Sequence, residues 1–258
     1  KTLELYSDQN GFNNAAALLA DTNSFKGIDI IRFGNSINEI MERKSLENIS
    51  ILLQMEQCIQ RFHQYYRYEK IEGMDRKSVD KIPERAFREA VANALVHRMW
   101  DIPASIKISM YSDKIEISSP GGLPAGISED EYLNGQISLL RNPIIGNVFF
   151  RLKYIEKFGT GIMRINYAYK DALIKPDYHI FSNSIQIILP VIKSDYKLNE
   201  TEKKLLNILK INGSMTRNEI EKAAEIDKSK AIRGLNRLIE KKMIQKRDLG
   251  RGTKYEIV

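Results

Sequence analysis

The last stretch of the chain, residues 199–258, carries its tightest local folding instructions. Asn199 followed by Glu202, and Thr216 followed by Glu219, are two capping boxes. In each, the two side chains satisfy backbone donors that a starting helix leaves open. They predict a helix over 200–211, ended by Asn212-Gly213, and a shorter one after Thr216. A third helix begins at Asp227 or Ser229 and runs to about Lys242. Residues 244–248 and 253–258 then alternate around Leu249-Gly250-Arg251-Gly252, the pattern of a hairpin. Three helices followed by a hairpin is the order of a winged helix-turn-helix.

Charge singles out the same stretch. The chain of 258 residues carries a net +7, and residues 199–258 hold 15 Lys+Arg against 9 Asp+Glu, while everything before them holds 25 against 24. A near-neutral body with a basic terminal module points to an anionic partner, and double-stranded DNA leads the candidates. In such a fold the third helix enters the major groove and the wing meets backbone or minor groove. The expected contacts are Lys228, Lys230, Arg233 and Arg237 on the helix, with Asn236 beside them, and Lys246, Arg247, Arg251 and Lys254 on the wing. Ile232, Leu235 and Ile239 supply the expected apolar stripe. The bland alternative is a solvated charged helix or a module for protein contacts.

The rest of the chain reads as two further pieces, 1–76 and 77–192, with a polar linker at 193–197 before the terminal module. The first shows a helix at 13–20, a strand at 27–33 and a long helix over 46–68, a poor core by itself. The second opens with a helix over 83–98, followed by a hairpin of Ile106, Ile108 and Met110 against Ile115 and Ile117. A Gly/Pro loop at 120–126, helical segments at 142–158 and 162–172, and a hairpin of 178–181 with 184–191 complete it. The class is α+β, with at least four strands in one sheet.

The helix over 83–98 has two different faces. Phe87, Val91, Ala94 and Leu95 form an apolar side, while Glu89, Asn93 and His97 recur every fourth residue along another. Ala86 and Ala90 flank that polar line and leave room for close approach. A carboxylate one turn from an amide can orient or deprotonate a water while the amide oxygen ligates a hard cation. The commoner explanation of the spacing is a solvated Glu and a helix-bonded Asn.

This helix, Pro83-Glu84-Arg85-Ala86-Phe87-Arg88-Glu89-Ala90-Val91-Ala92-Asn93-Ala94-Leu95-Val96-His97-Arg98, resembles the N-box helix of a GHKL-type ATPase module. The resemblance extends through Ile117-Ser118-Ser119-Pro120-Gly121-Gly122-Leu123-Pro124, Arg141-Asn142-Pro143 and Ile155-Glu156-Lys157-Phe158-Gly159-Thr160-Gly161-Ile162. It is similar in particular to prokaryotic transcriptional regulators that carry a Schlafen-type AlbA domain, a GHKL-like domain and often a winged helix. The resemblance implies a Bergerat-type α/β sandwich over 77–192, with 1–76 as the end of an AlbA-like domain plus its connecting helix. It implies Glu89 as general base and Asn93 as magnesium ligand, with ATP and Mg as cofactors. Ser119, Gly121, Gly122, Arg141, Gly159 and Gly161 would complete the nucleotide site, the glycine amides cradling phosphates. Ser119-Pro120-Gly121 stands where active members have Asp-x-Gly, so the charge that receives the adenine amino group is missing.

Other features narrow the classes. No apolar run approaches the roughly 20 residues that span a bilayer. The start, Lys1-Thr2-Leu3-Glu4-Leu5, has neither a signal-peptide pattern nor an initiating Met and reads as the beginning of an excised piece. The lone Cys58 excludes a disulfide scaffold, fits a reducing cytoplasm and reads as inert core. His63, His97 and His179 are too scattered for zinc. Plainer roles are open for several residues: turns at Gly121-Gly122 and Gly159-Thr160-Gly161, helix anchoring by His97-Arg98, and packing by Trp100 and the aromatic run 62–68. Arg141 suits a phosphate or a carboxylate equally. The expected function is a cytoplasmic, homo-oligomeric DNA-binding regulator whose GHKL-like module couples ligand binding to DNA binding. The alternatives are a slow Mg-dependent ATPase and a ligand-free dimerisation scaffold.

Overall fold

The structure is a computed structural model that describes residues 2–135, 139–156, 159–192, 198–241, 243–248 and 253–257. It divides into two compact units, Lys1–Ile192 and Lys193–Val258.

In the first unit, short strands β1 (Tyr6–Ser7) and β2 (Gly11–Phe12) pair ahead of helix α1 (Asn14–Leu19), which Asn13 caps. Strands β3 (Ile28–Phe33) and β4 (Ile40–Leu46) precede helix α2 (Ile51–Tyr66), and β5 (Arg67–Glu72) pairs with β6 (Asp75–Asp80) as a separate hairpin. Then come α3 (Glu84–His97), β7 (Ile106–Met110), β8 (Lys114–Pro120), α4 (Glu129–Leu133), α5 (Pro143–Arg151), α6 (Gly161–Ala168), β9 (Asp177–Phe181) and β10 (Ser184–Pro190).

Six strands form one mixed sheet in the order β4-β3-β7-β8-β10-β9, parallel only between β3 and β7. Period-two alternation sends Ile106, Ile108 and Met110, Ile115 and Ile117, and Ile187 and Leu189 into the core. Helix α3 lies in that core, with Ala86, Phe87, Ala90, Val91 and Leu95 fully buried. Its small residues allow close packing, and each large apolar side chain contributes about 1.5–3 kcal/mol by leaving water.

Residues 1–76 and 77–192 share this sheet and core, so they are joined in one unit. The helix expected from Leu46 starts at Ile51, because Leu46 ends β4. Helix α2 also stops at Tyr66, where the β5–β6 hairpin begins. The helix expected over 142–158 stops at Arg151: Lys153 takes φ +60°, and the Tyr154 amide reaches back to the Phe149 carbonyl. The helix expected over 162–172 ends at Ala168.

The second unit contains α7 (Glu200–Asn212), β11 (Met215–Thr216), α8 (Arg217–Ala224), α9 (Lys228–Glu240), β12 (Ile244–Asp248) and β13 (Thr253–Ile257), with sheet order β11-β13-β12. Both capping boxes form as the sequence predicts, and Asp227 is the cap of α9. Its own core gathers Leu205, Leu206, Leu209, Ile220, Leu235, Leu238, Ile244 and Tyr255. The expected stripe of α9 is rotated: Ala231, Gly234, Leu235 and Leu238 are buried, whereas Ile232 and Ile239 are only half-buried. Gly234 explains the shift, since a Cβ there would stand 2.5 Å from Leu205 Cδ1. The helices meet through a residue with no side chain. The expected linker at 193–197 lies outside the described residues.

Candidate functional site

The polar line of α3 turns inward. Glu89 is only 7% exposed and its carboxylate is hydrogen-bonded to the Asn93 amide. The N-terminal turn of α6 lies over the pair: a Cβ built on Gly161 would stand 2.6 Å from Asn93 Nδ2 and 2.8 Å from Glu89 Oε1. Only glycine allows this approach without displacing the pair. Burial pushes the Glu89 pKa up. The Arg164 and Arg85 guanidinia and the Asn93 hydrogen bond oppose that shift, and Glu156 adds to it. Arg164 is held beside Thr160, its Nε 3.2 Å from the hydroxyl, and beside Glu156 at 3.5 Å.

Asn93 also borders a small cavity with His97, Ser119, Gly121, Tyr132 and the side chains of Ile117, Ile185 and Ile187. Its volume is about 20 Å³, room for one water molecule. Burial, reinforced by the charge of Arg141, pushes His97 down to about 4, so it is a neutral imidazole at ordinary pH. Tyr132 is pushed up to about 12 by burial.

The other expected residues are brought close but put to structural use. Ser119 donates its hydroxyl to the Ala94 carbonyl at 3.0 Å. Arg141, read as a phosphate or carboxylate partner, instead donates to the carbonyls of His97 (2.9 Å) and Gly122 (2.7 Å). Backbone acceptors at the end of α3 outcompete an ionic partner there. Gly121, at φ +105°, leaves the space that Arg141 and Met99 fill, and a Cβ on Gly122 would collide with the Ser182 carbonyl. Gly159, at φ +65°, packs its carbonyl against Gly135 instead of the cavity.

Asn142, given no role by the sequence reading, and Arg98, expected to anchor the helix end, secure the same region. Asn142 donates from Nδ2 to the carbonyls of Val96 and Arg98. Arg98, 1% exposed, donates to the carbonyls of Lys26, Gly27 and Ala104 and lies 4.3 Å from the Trp100 ring; burial pushes it down to about 10. Trp100 thus packs against the core under a guanidinium. Arg164 was within reach of sequence reasoning, one turn after Gly161 on the same helix. Cys58 is fully buried, and burial pushes its thiol far up.

Among the described residues the cavity beside Asn93 is smaller than a nucleotide. The cavity is more than an order of magnitude below the roughly 300 Å³ where small-molecule pockets begin. Ser119, expected to meet adenine, has its hydroxyl committed to the Ala94 carbonyl. Among the described residues no group of three His, Cys, Asp or Glu side chains could hold a metal.

In the second unit, the outward side of α9 is polar. Ser229, Arg233 and Asn236 stand opposite the buried Ala231–Gly234–Leu235–Leu238 side, with Lys230 and Arg237 on one flank and Lys228 on the other. All of these are exposed. Arg237 lies 3.9 Å from the buried Glu202, whose main partner is Lys241 at 2.8 Å. On the wing, Arg247 pairs with Glu256 at 2.6 Å, and Lys246 lies 6.0 Å from the Tyr255 ring. The pairing of Arg247 with Lys254 puts those two on one face and Lys246 on the other. Lys254 is half-buried, and Arg251 lies outside the described residues.

Comparison with known proteins agrees with the two-unit division. Residues 104–189 match the family model described as "Putative ATP-dependent DNA helicase recG C-terminal", an ATPase-like domain. That match begins beyond α3, so Glu89 and Asn93 lie outside it. No curated protein matches the chain. Among solved structures, the DIP2311 protein from Corynebacterium diphtheriae superimposes with a TM-score of 0.65 at 19% identity, covering 99% of this chain. The chain spans 56% of the length of that protein, and the likeness is one of fold. No described helix is long and apolar enough to cross a membrane. Residues 192–258 match the family model "Sugar-specific transcriptional regulator TrmB", so the chain ends in a TrmB-like winged-helix domain that follows an ATPase-like domain.

Proposed function

We propose that this chain is a DNA-binding transcriptional regulator in which α9 reads duplex DNA and the ATPase-like domain is a closed switch module. The observation that carries the reading is the exposed basic side of α9, which lies opposite its buried side. Lys228, Lys230, Arg233 and Arg237 supply phosphate contacts, while Asn236 meets base edges. Arg247, Lys246 and Lys254 give the wing sequence-independent contacts. A symmetric dimer suits operators with two half-sites.

The switch element is the seam between α6 of the ATPase-like domain and α3, which precedes it. Entry of a nucleotide requires the first turn of α6 to lift from Glu89 and Asn93, a two-state change that a ligand could bias. No hydrolytic step is assigned to the closed state. Residues 1–76 belong to this reading as the end of an AlbA-like domain merged into the same unit.

The test is fluorescence anisotropy with duplex DNA over a salt series, using the whole chain. Lys228→Ala and Arg233→Ala should each weaken binding and lower the salt slope by about one. Undiminished binding by a Lys228→Glu/Arg233→Glu variant would overturn the DNA reading. ATP with magnesium should raise the unfolding free energy by about 2.7 kcal/mol at 100 times its Kd if the seam opens to it. Phosphate release that vanishes in Glu89→Ala would replace the switch with an ATPase.

A further inference from the structure

A larger cavity lies elsewhere in the first unit. It measures about 370 Å³ and is bordered by the ends of β3 and β7, the β3–β4 loop, the end of α2 and Lys81. Strands β3 and β7 are the parallel pair of the sheet, and both run out at this cavity. Crevices beyond the carboxyl ends of parallel strands are common ligand sites. Ser119 and Gly121 sit at the opposite end of the β7–β8 pair, about 15 Å away at some 3.4 Å per residue. The two sites are separate.

Three kinds of chemistry meet there. The first is cationic. Arg32 is half-buried, its guanidinium lies 4.4 Å from the Tyr65 ring, and among the described residues it has no carboxylate partner. Glu42, opposite it on β4, is taken instead by Arg61 at 2.8 Å and by the Tyr65 hydroxyl. Lys81 adds a second cation at the rim. The second is aromatic: Phe33 and Tyr111 stack with centroids 5.0 Å apart and planes 15° apart. The Tyr66 hydroxyl, which donates to the Tyr111 carbonyl at 2.6 Å, fixes that wall. The third is an acceptor, Glu39, one of whose oxygens receives the Asn35 amide at 2.9 Å.

We infer that this cavity binds a nucleoside monophosphate, with the phosphate on Arg32 and Lys81 and the base against the aromatic wall. A half-buried guanidinium without a carboxylate favours an oxyanion that it can grip through two donors. Flat rings suit a heterocycle, which stacks irrespective of sequence. A carboxylate in the same wall requires a ligand that also donates, as ribose hydroxyls and exocyclic amines do. The volume is at the small end for ligand pockets, enough for one ring system and its phosphate. The nucleotide is either free or the 5′-phosphorylated end of a single strand.

Isothermal titration of the whole chain with the four common nucleoside monophosphates tests the site. Binding is expected, and Arg32→Gln should weaken it about 10- to 100-fold, as loss of a charge-assisted contact does. Lys81→Gln, on an exposed side chain, should weaken it less, with an unchanged urea midpoint. Unphosphorylated nucleosides should bind more weakly than their monophosphates. A short 5′-phosphorylated single strand separates the two sources: Arg32-dependent binding tighter than the monomer's identifies a strand end, and equal or weaker binding identifies the free nucleotide. The inference is overturned if no monophosphate binds the folded protein, or if binding survives Arg32→Gln with Lys81→Gln. Binding that survives that pair but is lost in Asn93→Ala would place the ligand at the α3–α6 seam.

Discussion

Replacing Gly161 by alanine tests whether the first turn of α6 is seated on α3. The added Cβ would stand 2.6 Å from Asn93 Nδ2, 2.8 Å from Glu89 Oε1 and 3.3 Å from Asn93 Cγ. Van der Waals contact begins near 3.5 Å, so the hydrogen-bonded pair must yield. Overpacking of this kind costs about 1–3 kcal/mol. Alanine brings an offsetting gain of about 0.4–1 kcal/mol, because Gly161 is not among the glycines at positive φ and its backbone suits an L-residue. The balance is a loss of about 0.5–2 kcal/mol, read from urea unfolding with an unchanged m-value. A second variant, Asn93→Ala, removes the nearest obstacle, so adding Gly161→Ala to it should cost less than in the parent. If Gly161→Ala alone stabilises the protein by the full propensity gain, the turn does not rest on the Glu89–Asn93 pair and the closed seam is wrong.

Three other outcomes follow from the geometry. Burial holds the Glu89 pKa above its unfolded value, so its favourable contribution is present below the ordinary carboxylate pKa and is lost as pH rises through the folded one. Glu89→Gln should therefore be more stable than the parent at pH 7 and lose that advantage near pH 4; a less stable variant at pH 7 would mean that Arg164 and Arg85 outweigh burial. Arg98→Met removes the donor to the Lys26, Gly27 and Ala104 carbonyls and should cost about 3 kcal/mol or more in thermal or urea unfolding. Glu225, in the turn between α8 and α9, sits at φ +51°; Glu225→Gly should stabilise the chain by about 1 kcal/mol, and no gain would mean that the left-handed cap carries no strain.

The winged-helix domain was legible because its instructions are local. Asn199 with Glu202 and Thr216 with Glu219 act within four residues, and each fixes a helix start without reference to the rest of the chain. The rotation of α9 was not legible: a reading by bulk favours Ile232 and Ile239, whereas the contact with α7 is made through Gly234. Strand β4 and the β5–β6 hairpin escaped for another reason. Glu42, Arg43, Lys44 and Ser45, like Asp75, Arg76, Lys77 and Ser78, are polar on both faces and give no alternation. The polar line of α3 was visible in its spacing, because Glu89 and Asn93 are one turn apart. Its closure by Gly161 was not, since nothing near α3 in sequence announces which distant glycine packs on it. The use of Arg141 escaped for a similar reason: its partners are backbone carbonyls, which every residue has.

The two ends of the α3 site are secured differently, and that difference fixes which end can move. At the C-terminal end, Arg141 and Asn142 occupy the carbonyls of Val96, His97 and Arg98, while Arg98 ties the helix to Lys26, Gly27 and Ala104. Gly122 abuts the Ser182 carbonyl, and withdrawing the loop after β8 would break the charge-assisted bond from Arg141 to the Gly122 carbonyl and the bond from the Gly121 amide to the Asn183 carbonyl. At the Glu89 end, the first turn of α6 rests on a buried carboxylate–amide pair whose ionised form burial disfavours. Farther along α6, the buried Ile165, and Tyr169 just beyond it with its hydroxyl donating to the Pro190 carbonyl, hold the helix to the core. Opening therefore costs least as a lift of the 159–161 segment about a fixed Ile165–Tyr169 anchor, with the glycine loop at 121–122 staying in place. Raising the pH ionises Glu89 and weakens the seat of that turn, so amide protection, corrected for intrinsic base catalysis, should fall across the start of α6 and hold through the end of α3. Protection that falls first at Val96–Arg98 would put the moving part at the wrong end and refute this division of labour.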